Sequence, residues 1–247
     1  MLLFALVAGA LVPASAAGAV RTWTGLGATT NWNEAMNWSG AAVPGAADTA
    51  VFDATSSKAA TINVNVSIAG LSINAGYGGT LSQAGAATVT VGATGYSQSA
   101  GTFVGGTGSI TVNGPFTHTA GAFTSTSGSL SVTRDFTDSS GSFVPNAGAL
   151  RLLTSAATIT VSGGSAFNDV DFVSGTKTLA AGTTFVVNGT LALTSATVNG
   201  AGTLAARGAI SQASTFGGGT ALLLIDGSAN QTFTGAATVA AGALPNL

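Results

Sequence analysis

The chain of 247 residues contains no cysteine, only 6% charged residues, one glutamate (Glu34) and two lysines (Lys58 and Lys177). So little charge leaves almost nothing for the polar face of an amphipathic helix. The six lysine and arginine residues lie far apart along the chain, which excludes a basic patch for nucleic acid. The lack of cysteine says nothing about the compartment, because a fold held by backbone ladders does not need disulfides.

Glycine is abundant, at 36 residues, together with alanine, threonine, serine and valine. Threonine and valine favour strands, and glycine and asparagine favour the tight turns between them. Hydrophobic residues make up 46% of the chain and the formal net charge is only −2, which is not the composition of a disordered segment. Glycine does not recur at every third position, as collagen requires. The composition therefore predicts an almost entirely β fold.

The first residues predict export. An apolar run over Met1–Val12 precedes Ala14-Ser15-Ala16, whose small residues suit signal peptidase. We expect residues 1–16 to be a signal peptide cleaved after Ala16, with Ala17 as the alternative. The run is short for a membrane span, and no lysine or arginine precedes it, which indicates a true start codon further upstream.

All three tryptophans, Trp23, Trp32 and Trp38, lie close together after the signal peptide. A solenoid has an apolar end at its first coil, and large aromatic rings at one terminus would cover such an end. We therefore expect residues 17–55 to form an N-terminal cap. The alternative is that the three rings form a platform on which sugars stack.

The same segment carries Trp23-Thr24-Gly25, then Asn31-Trp32 and Asn37-Trp38, then Pro44 and the strand-like run Asp48–Asp53. It resembles the opening of secreted bacterial passenger proteins of the autotransporter-associated β-strand repeat type, and of similar exported, adhesin-like β-helical proteins. By motif the resemblance covers this segment, and by composition alone it extends to the end of the chain. It implies a parallel β-helix and a surface or extracellular address, and it supplies no catalytic residues.

Three segments repeat without gaps at a period of twenty residues, beginning at Tyr96, Phe116 and Phe136. Each opens with an aromatic residue and has glycine, phenylalanine, a second glycine and two aliphatic residues at matching positions. The matching sets are Gly101, Gly121 and Gly141; Phe103, Phe123 and Phe143; Gly108, Gly128 and Gly148; Ile110, Leu130 and Leu150; and Val112, Val132 and Leu152. Internal repetition of this kind is typical of repeat architectures.

A propeller blade needs about forty residues, whereas twenty suit one coil of two or three short strands with glycine at the corners. Equivalent residues of successive coils would lie about 4.8 Å apart, so the three phenylalanines would form an internal ladder. The sequence thus predicts an all-β fold, a right-handed parallel β-helix (β-solenoid) of about 20 residues per coil. It would cover residues 56–247, with the strict repeats at 96–155, and the strand-like runs put the number of coils at about eleven.

The end of the chain predicts truncation. Ala237-Thr238-Val239 begins a pattern similar to Ala157-Thr158-Ile159, and the sequence stops at Leu247. The missing C-terminal part would be a cap, a barrel or a sorting helix. An uncapped last coil would expose strand edges that favour aggregation.

Parallel β-helices include polysaccharide lyases and hydrolases, so the carboxylates are the first candidates for a catalytic site. The best pair is Asp169 and Asp171, which alternation places on one face of a strand. The plainer interpretation is a coil edge with solvated aspartates. Arg134, Asp135 and Asp138 occupy a turn between repeats, where we expect a surface ion pair.

His118 is the only histidine, and its equivalents in the neighbouring repeats are Gln98 and Asp138. Three different polar residues at one repeat position predict a solvent-facing slot. That excludes a Ser-His-Asp triad and a histidine zinc site, and calcium-binding glycine repeats are missing as well. We therefore expect no catalytic residue, no cofactor and no metal.

Hydroxyl side chains form the remaining candidate. Thr117, Thr119 and Thr137 align with serines of the repeats, namely Ser97, Ser99 and Ser139. Flat arrays of this kind occur on ice-binding solenoids, but stacked serine and threonine also suit strands in general.

These features favour an exported structural or adhesin-like passenger in the extracellular space or on the outer surface of a bacterium. The expected mature part has no membrane span, and its partners would be surface glycans or other cell-surface components. The alternatives are a polysaccharide-active β-helix enzyme or a carbohydrate-binding module, and more remotely an ice-binding solenoid.

Overall fold

The structure is a computed structural model that describes residues 18–153, 156–162, 164–238 and 242–246. The expected signal peptide, residues 1–16, lies outside the described residues. All strand pairings between the described strands are parallel, and they join each coil to the next. The predicted all-β parallel solenoid with coils of about 20 residues is confirmed. Its right-handedness stays a prediction.

Each coil has three faces, which we number in chain order. In one coil, face 1 is formed by Ile110–Val112, face 2 by Phe116–His118 and face 3 by Ala122–Thr124. Strands of equivalent faces stack on one another, and short corners rich in glycine connect the faces. Faces 1 and 2 together form one 16-stranded sheet, because two long strands run through the corner between them.

Face 1 is formed by nine described strands, and the first two of them contribute only their first halves. In order they are β4 (Val66–Ile73), β6 (Val89–Gln98), β8 (Ile110–Val112), β11 (Ser129–Val132), β14 (Ala149–Leu152), β17 (Asp169–Phe172), β20 (Leu191–Leu193), β23 (Ile210–Gln212) and β25 (Phe233–Gly235). Face 2 contains the second halves of β4 and β6 together with β1 (Val20–Thr22), β2 (Thr49–Phe52), β9 (Phe116–His118), β12 (Phe136–Asp138), β15 (Ala157–Val161), β18 (Gly175–Leu179) and β21 (Ala196–Gly200).

Face 3 is split into two sheets. The first has five strands, which are β3 (Ala60–Ile62), β5 (Thr80–Gln83), β7 (Thr102–Val104), β10 (Ala122–Thr124) and β13 (Ser142–Val144). The second has four, which are β16 (Ala166–Phe167), β19 (Thr184–Val187), β22 (Thr203–Ala206) and β24 (Leu222–Ile225). Two short 3-10 helices, Ala35–Asn37 and Ser39–Ala41, lie in the N-terminal segment.

The core lies inside the coils, where alternate side chains of every face converge. Phe103, Phe123 and Phe143 are direct register partners, as predicted, and their ring centroids are 5.1 and 5.3 Å apart. Face 2 has a second aromatic ladder, with Tyr96 and Phe136 stacked on either side of Phe116 at 4.9 and 5.0 Å. Stacked apolar rings that are removed from water are the main favourable contribution to such a core.

The number of coils is lower than the sequence suggests. The face 1 partners Val66, Val89, Ile110, Leu130, Leu150, Val170, Leu191, Ile210 and Phe233 mark nine coils, with steps of 19 to 23 residues. The prediction of about eleven is wrong because coils outside the strict block are often longer than twenty residues. The N-terminal segment also contributes only partial coils.

Glycine is required at the corner between faces 2 and 3. Gly121 and Gly141 have φ of +89° and +90°, a conformation that other residues rarely adopt. A Cβ atom on Gly121 would lie 2.5 Å from the carbonyl oxygen of Gly101 in the coil below. The repeated glycines therefore allow successive corners to approach at the spacing of the strands.

Candidate functional site

The two aspartates that the sequence singled out lie on the outward side of β17. Asp171 Oδ2 is 3.4 Å from Nε of Arg151 on the preceding coil, and the Thr194 hydroxyl donates to Asp171 Oδ1 at 2.6 Å. Asp169 Oδ1 accepts a hydrogen bond of 2.6 Å from the backbone N–H of Thr190. Both carboxylates thus connect neighbouring coils, which is sufficient reason for their presence.

Asp169 lines a small cavity, and Asp171 is not among the residues that line it. A cavity of about 10 Å³ between Phe143 and Phe167 has Asp169 in its wall, and it is far smaller than the roughly 300–1,000 Å³ of ligand pockets. A larger groove of about 510 Å³ lies at the last coil. Its lining has no titratable group and consists of Gln212, Phe233, Gly235, Ala237, Gly242, Ala243 and Leu244. Acid–base catalysis needs such a group within reach of the substrate. A groove of about 450 Å³ does contain Arg207 and Asp226, which are paired with each other at 3.4 Å.

Replacing Asp171 with asparagine should have a small effect on stability. The ion pair with Arg151 is partly exposed, and exposed pairs contribute about 0–1 kcal/mol. Asparagine keeps an oxygen for the Thr194 hydroxyl. We expect urea denaturation to show a loss of at most about 1 kcal/mol in the free energy of unfolding. A loss of several times that size would mean that the carboxylate has a structural role beyond this pair.

The three tryptophans are buried, with exposed fractions of 1%, 1% and 2%. Trp38 lies edge-on to both Trp23 and Trp32, with ring centroids 5.1 and 4.5 Å away, and all three contact Phe52 of β2. The Trp38 indole N–H donates to the carbonyl of Trp32 at 2.8 Å. The alternative of a sugar-stacking platform is therefore wrong, because no face of these rings is open to a sugar. Residue 55 as the end of the cap stays a prediction.

A buried asparagine orders the loop around these rings. Asn37 Nδ2 donates to the carbonyls of Thr29 and Asn31, each at 3.0 Å, while its Oδ1 accepts from the N–H of Gly27 at 2.8 Å. Glu34 accepts from the same loop, and its hydrogen bonds from the Thr29 hydroxyl and the Ala28 N–H lower the pKa of its carboxyl. The chain's one glutamate thus holds the loop in place.

The hydroxyl ladder is present. Ser97, Thr117 and Thr137 are register partners on face 2, and their side chains point away from the core. Thr119 follows in the corner and is exposed, and its hydroxyl donates to the carbonyl of Gln98 at 3.3 Å. Ser72 on the coil below extends the ladder, because Ser97 Oγ donates to Ser72 Oγ at 3.1 Å.

The structure contradicts the prediction that His118 lies in a solvent-facing slot. Gln98, His118 and Asp138 are 1%, 0% and 1% exposed, and they stack inside the solenoid rather than in a solvent-facing slot. The physical reason is alternation, since residues two apart in a strand share a side and Phe116 faces the core. His118 Nδ1 and Asp138 Oδ1 are 2.7 Å apart, so a buried polar pair crosses two coils.

This pair is enclosed. His118 Nε2 and Asp138 Oδ2 are buried and have no partner within the described part of the chain. A Cβ atom on Gly141 would lie only 3.0 Å from His118 Nε2, so the backbone of that corner covers the imidazole. A histidine and an aspartate in contact are two members of a hydrolytic triad, but no substrate can reach these. Their arrangement points to a structural role.

Arg134 and Asp135 are exposed but do not form the expected ion pair. The ion pairs of arginine between described residues are Arg21–Asp48, Arg151–Asp171 and Arg207–Asp226. Asp135 Oδ1 instead accepts from the backbone N–H of Thr158 at 2.8 Å. The prediction is wrong because Asp138 belongs to the core and Asp135 binds the backbone near the start of β15.

Buried tyrosines predict alkaline sensitivity. Burial raises the pKa of Tyr96 well above its ordinary value of about 10, and burial raises the pKa of Tyr77 in the same direction. The folded state therefore keeps protons that the unfolded state loses, and stability should fall as the pH rises above about 10. Tyr96→Phe, which places at this rung the residue found at 116 and 136, should show a shallower fall.

The free energy of unfolding of the wild type and of Tyr96→Phe is measured by urea denaturation at a series of pH values. The difference between the two free energies is then plotted against pH. Below pH 10 we expect a constant offset, because the variant loses the 2.6 Å hydrogen bond from the Tyr96 hydroxyl to Gln98 Oε1. Above that pH the offset should shrink. A difference that stays constant to pH 12 would contradict the prediction.

Among the described residues there is no group of three or more histidine, cysteine, aspartate or glutamate side chains placed to hold a metal ion. Over the same residues, no helix has the length and apolar character needed to cross a membrane. Comparison of the chain with protein-family models, with curated proteins and with solved structures finds no match.

Proposed function

We propose that the chain is an exported, non-catalytic surface protein whose solenoid acts as a stiff, nearly uncharged structural or adhesin-like passenger. The observation that carries the proposal is the ladder itself. Nine coils are joined by parallel pairing, with a mostly apolar interior and an outer surface of mostly uncharged side chains. Such a body resists bending because each coil bonds to the coils on both sides. The resemblance of residues 23–53 to secreted passenger proteins supports the same conclusion.

Export is tested by expressing the full chain with a C-terminal epitope tag in a bacterium and separating the secreted, surface and cell fractions. We expect the tag outside the cytoplasm and a mature N-terminus after Ala16 or Ala17. Deletion of residues 1–16 is the matched control and should leave the tag in the cytoplasm. Equal distribution of the two forms would contradict the proposal.

Adhesion and catalysis are tested with the purified protein. Binding to a glycan array or to cell surfaces, without turnover of a polysaccharide panel, is the expected result. Turnover that disappears in Asp169→Asn/Asp171→Asn would instead establish the enzyme alternative. The hydrogen bonds of the two aspartates give no reason to expect such turnover. The Asp171 carboxylate accepts from Arg151 and Thr194, and the Asp169 carboxylate accepts from the N–H of Thr190.

A further inference from the structure

Face 2 carries an unbroken belt of uncharged polar side chains on its outer side. The belt continues over seven coils, from β4 to β21, well beyond the three coils of the strict repeat. We call it the hydroxyl belt, and it consists of Ser72, Ser97, Thr117, Thr137, Thr158, Thr160, Thr176, Thr178, Thr197 and Asn199. The ionisable residues of these strand segments are buried on the opposite side, and they are Tyr96, His118, Asp138 and Lys177.

The hydroxyls of the belt are nearly all free to bond outside the protein. Within the described residues, the one side-chain hydrogen bond that a belt hydroxyl makes joins Ser97 to Ser72. The neighbouring corner behaves differently, because Thr119 and Ser162 donate to backbone carbonyls. Stacked hydroxyls that served only to satisfy one another would be paired along the whole belt, and here only Ser72 and Ser97 are paired among the described residues.

The geometry of the belt is periodic and fixed. Register partners such as Thr117 and Thr137, or Thr176 and Thr197, are one strand spacing apart, about 4.8 Å. Residues two apart in one strand, such as Thr158 and Thr160, are about 6.6 Å apart along it. Because the backbone ladder holds every rung, these spacings cannot adjust to a ligand of another period.

Periodicity and chemistry together restrict the ligand. A single hydroxyl gains little when it exchanges water for another partner, so useful binding requires many hydroxyls to engage at once. Only a rigid lattice with a matching repeat offers that. The belt side chains carry no charge to attract an ion, and the neighbouring Asp135 carboxylate accepts from the Thr158 N–H. The aromatic rings on which sugars would stack lie in the core beneath the belt. Threonine methyl groups supply an apolar part beside the hydroxyls.

We infer that the hydroxyl belt binds the surface of ice, an ordered lattice of hydrogen-bonding oxygens without charge. This function is additional to that of a structural passenger and does not depend on it. It requires only face 2, and the purified chain suffices to examine it. The structure assigns the contact to face 2 rather than face 1, whose outer side includes the charged pair Arg151 and Asp171.

The test compares two double variants with the wild type. Thr117→Glu/Thr178→Glu places bulky, strongly hydrated carboxylates on the belt. Thr111→Glu/Ser211→Glu places the same carboxylates on the outer side of face 1, at positions of matching half-buried and exposed character. Circular dichroism and thermal unfolding establish that all three proteins fold alike.

Ice recrystallisation and the gap between freezing and melting temperatures are then measured for each protein. The expected result is inhibition by the wild type and by the face 1 variant at concentrations at which the belt variant has none. Absence of both effects in the wild type at its highest soluble concentration would overturn the inference. Equal activity in the two variants would also overturn it, and neither outcome bears on export or adhesion.

Discussion

Phe123→Ala should destabilise the protein by about 3–5 kcal/mol, the range for truncating a buried phenylalanine. Phe123 is 1% exposed and stacks between Phe103 and Phe143. Its ring also contacts Tyr96 and Phe116 of face 2, at 5.5 and 5.1 Å. Removing it opens a cavity where two ladders meet, and the neighbouring coils cannot close it because their backbones are fixed by parallel pairing.

The measurement is urea denaturation followed by circular dichroism. Thr124→Ala is the matched control, since it truncates the next residue of the same strand on the outer side, and surface changes usually stay within about 0.5 kcal/mol. Phe143→Ala should fall between the two, because Phe143 is only partly buried. If Phe123→Ala and Thr124→Ala had equal effects, the phenylalanine ladder would not be in the core.

The stability lost when the buried pair of His118 and Asp138 is substituted should depend on whether one or both side chains are changed. His118→Leu leaves the Asp138 carboxylate buried without its partner, and breaking a buried pair in this way costs about 3–5 kcal/mol. Asp138→Leu leaves the His118 Nδ1 without a partner and should cost less, about 1–3 kcal/mol.

The double variant His118→Leu/Asp138→Leu should be more stable than His118→Leu alone, because no buried polar group is then left unpaired. Ile73 and Val161 occupy the same column at its two ends, so an aliphatic side chain suits this position. All three variants are compared with the wild type by urea denaturation. Additive losses in the double variant would mean that the two side chains do not interact, which the 2.7 Å contact contradicts.

The strict repeat made the core predictable. Because Phe103, Phe123 and Phe143 recur at exact multiples of one coil, their stacking follows from the period alone. The prediction of a solvent-facing slot at residues 98, 118 and 138 is wrong, because the chemical variety of these residues does not decide to which side they point. Alternation with the aromatic residue two positions earlier places all three inside.

The extent of the hydroxyl belt could not be predicted from the sequence. Thr137 pairs with Thr160, an offset of 23 residues, so the period is lost at the turn after β14. Thr158, Thr176 and Thr178 then join the belt in columns that no repeat alignment reveals. The position of the three tryptophans at one end of the sequence predicts that they cover the end of the solenoid. The burial of both faces of each ring is not predictable from the sequence, because it depends on how residues 18–52 pack.

The central claim is that like side chains stack from coil to coil, and the register of face 3 tests it most directly. Because the chain has no cysteine, introduced cysteine pairs can be examined without competing thiols. Thr102 and Ala122 are register partners on the outer side of β7 and β10, immediately before Phe103 and Phe123. At a strand spacing of about 4.8 Å, Thr102→Cys/Ala122→Cys should form a disulfide within the folded protein on mild oxidation.

Thr102→Cys/Thr124→Cys is the control, with Cα atoms roughly 8 Å apart from the strand spacing and the rise of two residues, too far for a disulfide. Mass spectrometry after blocking of free thiols should find the first pair bridged and the second free. Bridging of the offset pair, with the in-register pair left free, would contradict the stacking of like side chains from coil to coil.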